Sequence, residues 1–326
     1  MAKIYITRAI PEAGLMLLRI AGHGVVVSGK DGVLAKKELV AALKEQNPDA
    51  VLCLLTDKID GEVFDAAPNA KIFANYAVGF DNVDLRAAES RSVAVTNTPG
   101  VLTDSVAEHA VALIFAVTKR IAEADRFTRA GKYEGWAPML LLGSDLKGKT
   151  LGILGGGRIG SRVLEIMGKG VGMKCIYYDI KRSEELEKVT GAEFRASFEE
   201  VLREADVVSI HVPLLDSTRH LMNTERFSMM KKSAYLINTS RGSVIDEAAL
   251  VAAVQSGTIR GAALDVYENE PALANGLNVL DNVVLTPHTA SATDETRSAM
   301  SGIAAQNIIA FLKGETPPNV VKPAQP

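Results

Sequence analysis

The sequence predicts an α/β protein of two doubly wound, mostly parallel-sheet domains, and three observations lead there. Short apolar runs rich in Val and Ile alternate with longer runs of helical period along the whole chain; each return to the same sheet edge needs a connection long enough for a helix. The strand-like runs fall into two series, separated by a helical stretch and a looser excursion. Finally, 326 residues exceed what one hydrophobic core usually serves, so two domains with a cleft between them are expected.

In the first series, Ile4-Tyr5-Ile6, Val25-Val26-Val27, Ala50 to Leu55, Lys71 to Asn75 and Val93 to Thr96 read as strands, with helical segments such as Lys36 to Gln46 between them. Val101 to Ala130 is nearly free of Gly and Pro, has Thr103 or Asp104 to cap its start and Gly131 to stop it, and reads as one long helix. The stretch Lys132 to Lys149 holds the only tryptophan, Trp136, and an apolar cluster from Met139 to Leu142, and reads as an exposed excursion. The second series runs through Thr150 to Leu154, Cys175 to Tyr178, Val207 to His211, Ala234 to Asn238, Gly261 to Asp265 and Val283 to Thr286. A helix near Thr293 to Lys313 and a Pro-rich tail close the chain.

Composition narrows the function. Hydrophobic residues at 47% and charged residues at 23% are ordinary globular values, and a net charge of −3 offers no basic field for nucleic acid or acidic lipid, so small metabolites fit better than polymers. Cys53 and Cys175 both sit in apolar strand-like runs and read as reduced core residues, which points to a reducing compartment and a cytoplasmic protein. The chain enters a strand at Lys3 to Thr7, leaving no room for a leader peptide, and no run approaches the roughly 18 apolar residues of a membrane span. No His/Cys spacing of a zinc site occurs.

The strand Thr150 to Leu154 leads directly into Gly155-Gly156-Gly157-Arg158-Ile159-Gly160, and Ser161 to Lys169 then reads as a helix. This is the Rossmann-like strand, turn and helix that holds a dinucleotide. Gly155 permits the tight turn, Gly157 lets the backbone approach a pyrophosphate, and Gly160 lets helix and strand pack closely; the helix N-terminus offers unpaired N–H groups and a positive dipole. The next strand ends in Asp179, 19 residues beyond Gly160, where a ribose 2′-hydroxyl would be held and a 2′-phosphate repelled. NAD is therefore the expected cofactor, with nearby Lys181 and Arg182 leaving room for some NADP tolerance.

Three later blocks, Thr239-Ser240-Arg241-Gly242, Leu264 to Pro271 and Thr286 to Thr293, resemble the D-isomer-specific 2-hydroxyacid dehydrogenases in content and order. The similarity extends over Val78 to Asp84, Asn97 to Asp104 and His211 to Leu214 with Thr218, and so covers almost the whole chain. Within the family it is most similar to the glyoxylate and hydroxypyruvate reductases. The resemblance implies a discontinuous substrate-binding domain of residues 1–99 and 290–326 and an NAD-binding domain of 100–289. It also implies a homodimer, clasped by the long helix and the excursion, with Trp136 reaching toward the partner.

Reduction of a 2-oxo acid needs a cation for the carboxylate, an acid for the carbonyl oxygen and a group that keeps that acid charged. Arg241, His288 and Glu270 supply the three. The guanidinium fork of Arg241 suits bidentate carboxylate binding, and Glu270 within reach of His288 favours the imidazolium. Singly, each has an ordinary alternative as a surface charge, a loop residue and a cap; their joint occurrence at strand ends carries the argument. The resemblance further assigns the backbone at Val78 and Gly79 to the substrate carboxylate, along with Arg241 and His288. Val78 stands where the related phosphite dehydrogenases carry a lysine, which argues for an organic acid.

The resemblance carries over Thr103, Arg158, Ile159, His211, Pro213, Thr218, Thr239, Asp265 and Ala290 as cofactor contacts, with Asp265 equally readable as a cap. The sequence departs from the family pattern at Gly156, where a larger apolar residue is usual, and at Ala290, where Gly is frequent; the first is expected to loosen the turn. His109 reads as a packed helix residue, and His23 lies in a Gly-rich turn. Within the same family, phosphoglycerate and D-lactate dehydrogenases are the alternatives. An NAD-sensing corepressor-like protein is the alternative outside catalysis, although the long extensions of such a role are missing.

Overall fold

The computed structural model describes residues 1–323, so the end of the Pro-rich tail lies outside the described residues. The chain forms two compact units, one of Met1–Leu102 and the chain from Ala292 on, the other Thr103–Ser291.

The first unit begins as β1 (Lys3–Ile6), α1 (Glu12–Ile20), β2 (Gly24–Val27), α2 (Lys36–Gln46), β3 (Ala50–Leu54), α3 (Gly61–Asp65), β4 (Ile72–Tyr76), α4 (Leu85–Ser90) and β5 (Ala94–Thr96). The strands pair in parallel. β3 and β4 are covered on both faces, which is why they read as unbroken apolar runs rather than alternating ones. Asp60 and Asp84 cap α3 and α4 by accepting the N–H of Val63 and Ala87.

The second unit runs α5 (Thr103–Thr118), α6 (Ile121–Arg129), β6 (Thr150–Leu154), α7 (Arg158–Glu165), β7 (Lys174–Tyr178), α8 (Glu184–Thr190), β8 (Glu193–Phe194), α9 (Phe198–Glu204), β9 (Val207–Ile210), α10 (Thr224–Met229), β10 (Tyr235–Asn238), α11 (Glu247–Gln255), β11 (Gly261–Leu264) and β12 (Val283–Leu285). Its seven parallel strands lie in the order β12-β11-β10-β9-β6-β7-β8. One apolar cluster centres on Leu236, Leu250 and Phe227, another on Ile114, Ile153 and Tyr177.

The chain then returns to the first unit as α12 (Asp294–Leu312), capped by the Thr293 hydroxyl, and β13 (Val320–Val321), which pairs antiparallel with β5. The first sheet thus has the order β13-β5-β4-β3-β1-β2.

The expected single helix from Val101 to Ala130 is two. At its break the Thr118 carbonyl accepts the N–H of Ser144 at 2.8 Å, taking the returning excursion in place of the next helical turn, and Arg120 adopts a left-handed conformation with φ 55°. The helix after the glycine turn starts three residues earlier than Ser161 and ends in a π-turn over Ile166–Val171. Both cysteines are buried and free, and no helix of the described residues is long and apolar enough to cross a membrane.

Candidate active site

In the second sheet β6 and β9 are neighbours although the chain places β7 and β8 between them, so the connections from β6 and β9 leave on opposite faces. Open α/β sheets bind ligands at such a switch point, beyond the carboxyl ends of the strands. The candidate residues of this unit gather at those ends. Gly155 follows β6, Asp179 follows β7, His211 follows β9, Thr239 and Arg241 follow β10, Asp265 follows β11, and His288 and Ala290 follow β12.

At the glycine turn, Gly155 has φ +100°, and a Cβ at Gly160 would lie 2.1 Å from the Gly155 carbonyl oxygen, so neither position admits a side chain. Gly157 caps α7, and a Cβ there would meet nothing within 4 Å, leaving the backbone open to a ligand. Arg158 and Gly157 are exposed at the helix start, Ile159 is half-buried. The Asp179 carboxylate accepts the Gly156 N–H at 2.8 Å and the Ile180 N–H at 2.7 Å, which fixes it beside the turn. Gly156 does not loosen the structure: the space a side chain would occupy is filled by Tyr177 and by Leu186, whose nearest atom would stand 2.9 Å from a Cβ. Arg182 is engaged bidentately by Glu187 at 2.8 Å.

These features fit a dinucleotide, and a second observation agrees. The buried Thr239 hydroxyl at the end of β10 has no hydrogen-bond partner, so it is open to a bound polar group. His211 is desolvated enough to be pushed down to about 4, so its ring is neutral, and it meets the Ser209 hydroxyl at 2.9 Å. The Thr218 hydroxyl donates to the Pro213 carbonyl at 2.7 Å and accepts the Leu215 N–H, closing the loop after β9. Thr103 opens α5.

Asp265 is fully buried. It accepts the Thr286 hydroxyl at 2.6 Å and the N–H groups of Thr289 and Ala290 at 2.8 Å each. Burial alone would push its carboxyl up, but His109, Thr286 and the two N–H groups outweigh burial and hold it below the usual carboxylate value. His109 is therefore more than a packing residue: its Nε2 stands 3.1 Å from the Thr286 hydroxyl and 3.4 Å from Asp265. Sequence reasoning missed this because nothing local links the middle of α5 to the end of β12.

His288 has φ +54°, uncommon for a residue with a side chain, and its N–H donates to the Asp265 carbonyl at 2.8 Å. Its Nδ1 lies 3.0 Å from Glu270 Oε2, while Glu270 Oε1 accepts the Tyr267 N–H at 3.1 Å. Burial pushes Glu270 up, yet His288, the Tyr267 N–H and the charge of Arg241 together hold it below the ordinary value. Arg241 is half-buried after β10, and its turn is organised by Asn238, whose side chain donates to the Arg241 carbonyl and accepts from Ser240. Asn238 is a buried residue the sequence reading took only as a strand end.

Val78 and Gly79 belong to the first unit, in the turn after β4. There the side-chain amides of Asn97 and Asn75 donate to their carbonyls at 2.8 and 2.9 Å. No group of three or more metal-ligating side chains occurs among the described residues.

Residues 111–290 match the NAD binding domain of the D-isomer specific 2-hydroxyacid dehydrogenases. The chain is 50% identical over 321 residues to a glyoxylate reductase of Thermofilum pendens, covering 98% of this chain and 94% of that one. Among solved structures, a protein from Thermus thermophilus superposes with a TM-score of 0.91 at 41% identity, covering 98% and 99% of the two chains. An NADPH-dependent glyoxylate/hydroxypyruvate reductase from Sinorhizobium meliloti superposes with a TM-score of 0.86 at 32% identity, covering 98% of each. With the glycine turn, the strand-end cluster and these likenesses together, the chain belongs to the D-isomer specific 2-hydroxyacid dehydrogenase family.

Proposed function

We propose that this protein is an NAD-dependent reductase of small 2-oxo acids, with glyoxylate or hydroxypyruvate as substrate, the acids named for its relatives. The observation that carries the reading is the His288–Glu270 pair at 3.0 Å beside Arg241, at strand ends of a unit that matches an NAD binding domain.

The turn from Gly155 to Gly160 and the start of α7 would hold NADH, which when bound would supply the hydride. Arg241 binds the substrate carboxylate through its planar donor fork. His288 gives its proton from Nε2 to the carbonyl oxygen, since Nδ1 is engaged by Glu270. Glu270 holds that ring in orientation through Nδ1, so that one hydride and one proton convert the oxo acid to the hydroxy acid. The backbone at Val78 and Gly79, assigned to the carboxylate by family resemblance, belongs to this proposal. So does the substrate-binding role of residues 1–99 and 290–326 beside an NAD-binding 100–289.

A homodimer is part of the reading. α6 buries none of its residues, and Trp136 and Met139 in the following excursion are 83% and 76% exposed, an apolar surface that a second copy would cover. Two buried, unpaired cysteines support a reducing compartment such as the cytoplasm.

Steady-state assays with NADH and NADPH against glyoxylate, hydroxypyruvate and pyruvate test the proposal. Turnover is expected with NADH on at least one of the first two; absence of turnover on every small 2-oxo acid overturns it.

A further inference from the structure

Glu247 opens α11, where an acidic side chain normally points to solvent and gains from the helix dipole. Here it is 3% exposed. A carboxylate is costly to bury unless its oxygens are hydrogen-bonded, and those of Glu247 reach two backbone donors of one loop: the N–H of Glu268 at 2.7 Å and that of Ala274 at 3.3 Å. Glu270 lies between these two anchors.

We infer that Glu247 is a positioning residue for the acid–base pair, its buried carboxylate holding the 267–274 loop in the shape that presents Glu270 to His288. The loop makes one short backbone contact of its own, Ala272 N–H to the Asn269 carbonyl at 2.8 Å. At its start Tyr267 gives its N–H to Glu270, and its hydroxyl donates at 2.8 Å to the Thr286 carbonyl, two residues before His288. The Glu247 bond to Glu268 therefore fixes the peptide next to the residue that bonds Glu270 and the backbone two residues before His288. Gly242, one residue after Arg241, abuts the same peptide so closely that a Cβ would lie 1.8 Å from the Tyr267 carbonyl carbon. The arrangement mirrors Asp265, whose buried carboxylate holds the backbone just after His288. Each half of the pair is thus set by a buried carboxylate from elsewhere in the sequence.

The charged groups around Glu247 and the pair are Glu268, Glu270, Arg241 and Asp265, with His220 paired to Glu268. Burial raises the Glu247 carboxyl and the charges of Glu268 and Glu270 add to that, against the two N–H groups. Removing the carboxylate leaves two N–H groups without their acceptor and frees the loop.

The inference rests on the proposed roles of Glu270 and His288, and its test separates the two. In Glu247→Gln, where the amide can accept only one of the two N–H groups, kcat for 2-oxo acid reduction is expected to fall about ten- to a hundredfold, the scale of a displaced catalytic group, while NADH affinity is unchanged. The loss in Glu247→Gln and in Glu270→Gln is expected to be non-additive in the double variant, whereas a purely structural role would add. At neutral pH the His288 ring NMR signals are expected to move in Glu247→Gln in the same direction as in Glu270→Gln, a readout that needs no turnover and so survives if the substrate reading fails. Glu247→Asp keeps the charge but shortens its reach and is expected to lose kcat to a lesser degree. In the wild type, the amides of Glu268 and Ala274 are expected to exchange slowly with solvent, which is informative even if both variants misfold. Wild-type kcat and His288 signals in a folded Glu247→Gln, additive losses in the double variant, or fast exchange of those two amides would overturn the inference.

Discussion

His288 Nδ1 stands 3.0 Å from Glu270 Oε2, and the histidine reaches that position only through a left-handed backbone at φ +54°. Such a conformation costs on the order of 1–3 kcal/mol and persists where surrounding bonds over-determine it. Here the surroundings are the Asp265 carbonyl and carboxylate, which take the consecutive N–H groups of His288, Thr289 and Ala290. With Nδ1 engaged by Glu270, Nε2 is the nitrogen available to a substrate oxygen. His288→Ala is expected to lower kcat by roughly two to four orders of magnitude with NADH affinity unchanged. Stopped-flow and fluorescence titration check the two halves of that statement, and full activity in the variant would remove His288 from the chemistry.

Glu270 gives a pH prediction with a definite sign. Its carboxyl is held below the ordinary 4.5, so it is charged throughout the neutral range. A depressed carboxylate stabilises the folded state fully above its ordinary value, and that contribution is lost as pH falls through the lower folded value. Glu270→Gln is therefore expected to melt earlier than the wild type near neutrality and to show a smaller further loss when the buffer is taken below about pH 4.5. Superimposable pH profiles would contradict this.

Asp179 carries the proposed preference for NAD over NADP. Its two oxygens hold the N–H groups of Gly156 and Ile180, and the Arg182 guanidinium, three residues on, is occupied by Glu187. Asp179→Ala is expected to shift the NADPH-to-NADH ratio of kcat/KM upward by about ten- to a hundredfold, the worth of one or two decisive pocket contacts. Adding Glu187→Gln, which releases Arg182, is expected to move it further in the same direction; an unchanged ratio in both would place the discrimination elsewhere.

The sequence made the parallel sheets legible because their central strands, such as β3 and β10, are buried on both faces and so appear as unbroken apolar runs bounded by glycine or polar turns. The strand-end positions were legible for a related reason: Gly155 and Asp179 directly follow such runs, and Arg241 and His288 each lie three residues past the end of a strand. What stayed hidden was set by distant partners. The break at Arg120 depends on Ser144 returning to the Thr118 carbonyl, and the two-residue strand β13 is a strand only because β5 offers it an edge. Likewise His109 and Glu247 carry no local mark of function; 156 residues separate His109 from Asp265, and Glu247 looks like any acidic first turn.

Gly156 shows how a departure from the family pattern is absorbed. Tyr177, fully buried, and Leu186 occupy the volume a side chain would need. Gly156→Ala is thus expected to destabilise the protein by about 1–3 kcal/mol through overpacking and to weaken NADH binding. In combination with Leu186→Ala, which empties the space, the added methyl is expected to cost less than it does alone, a coupling a thermal-melt double-mutant cycle reads directly. Strict additivity would mean that the methyl finds room by another route.

The apolar surface of α6 and the excursion makes the last prediction. Ile121, Tyr133, Trp136, Met139 and Leu142 are all exposed, and so many large apolar side chains in one stretch of chain are unusual on a surface that meets only water. Aromatic and methionine side chains are the types enriched in the cores of protein interfaces, and truncating a central aromatic typically costs 2 kcal/mol or more, here about thirtyfold in the dissociation constant. Sedimentation analysis is expected to show a dimer for the wild type and a concentration-dependent shift to monomer for Trp136→Ser with Met139→Ser. A wild type that is monomeric at every concentration would sink the dimer. If the double variant dissociates yet keeps its kcat, the partner contributes stability and no reacting group, whereas a parallel loss of kcat would place Trp136 at the neighbouring subunit's active site.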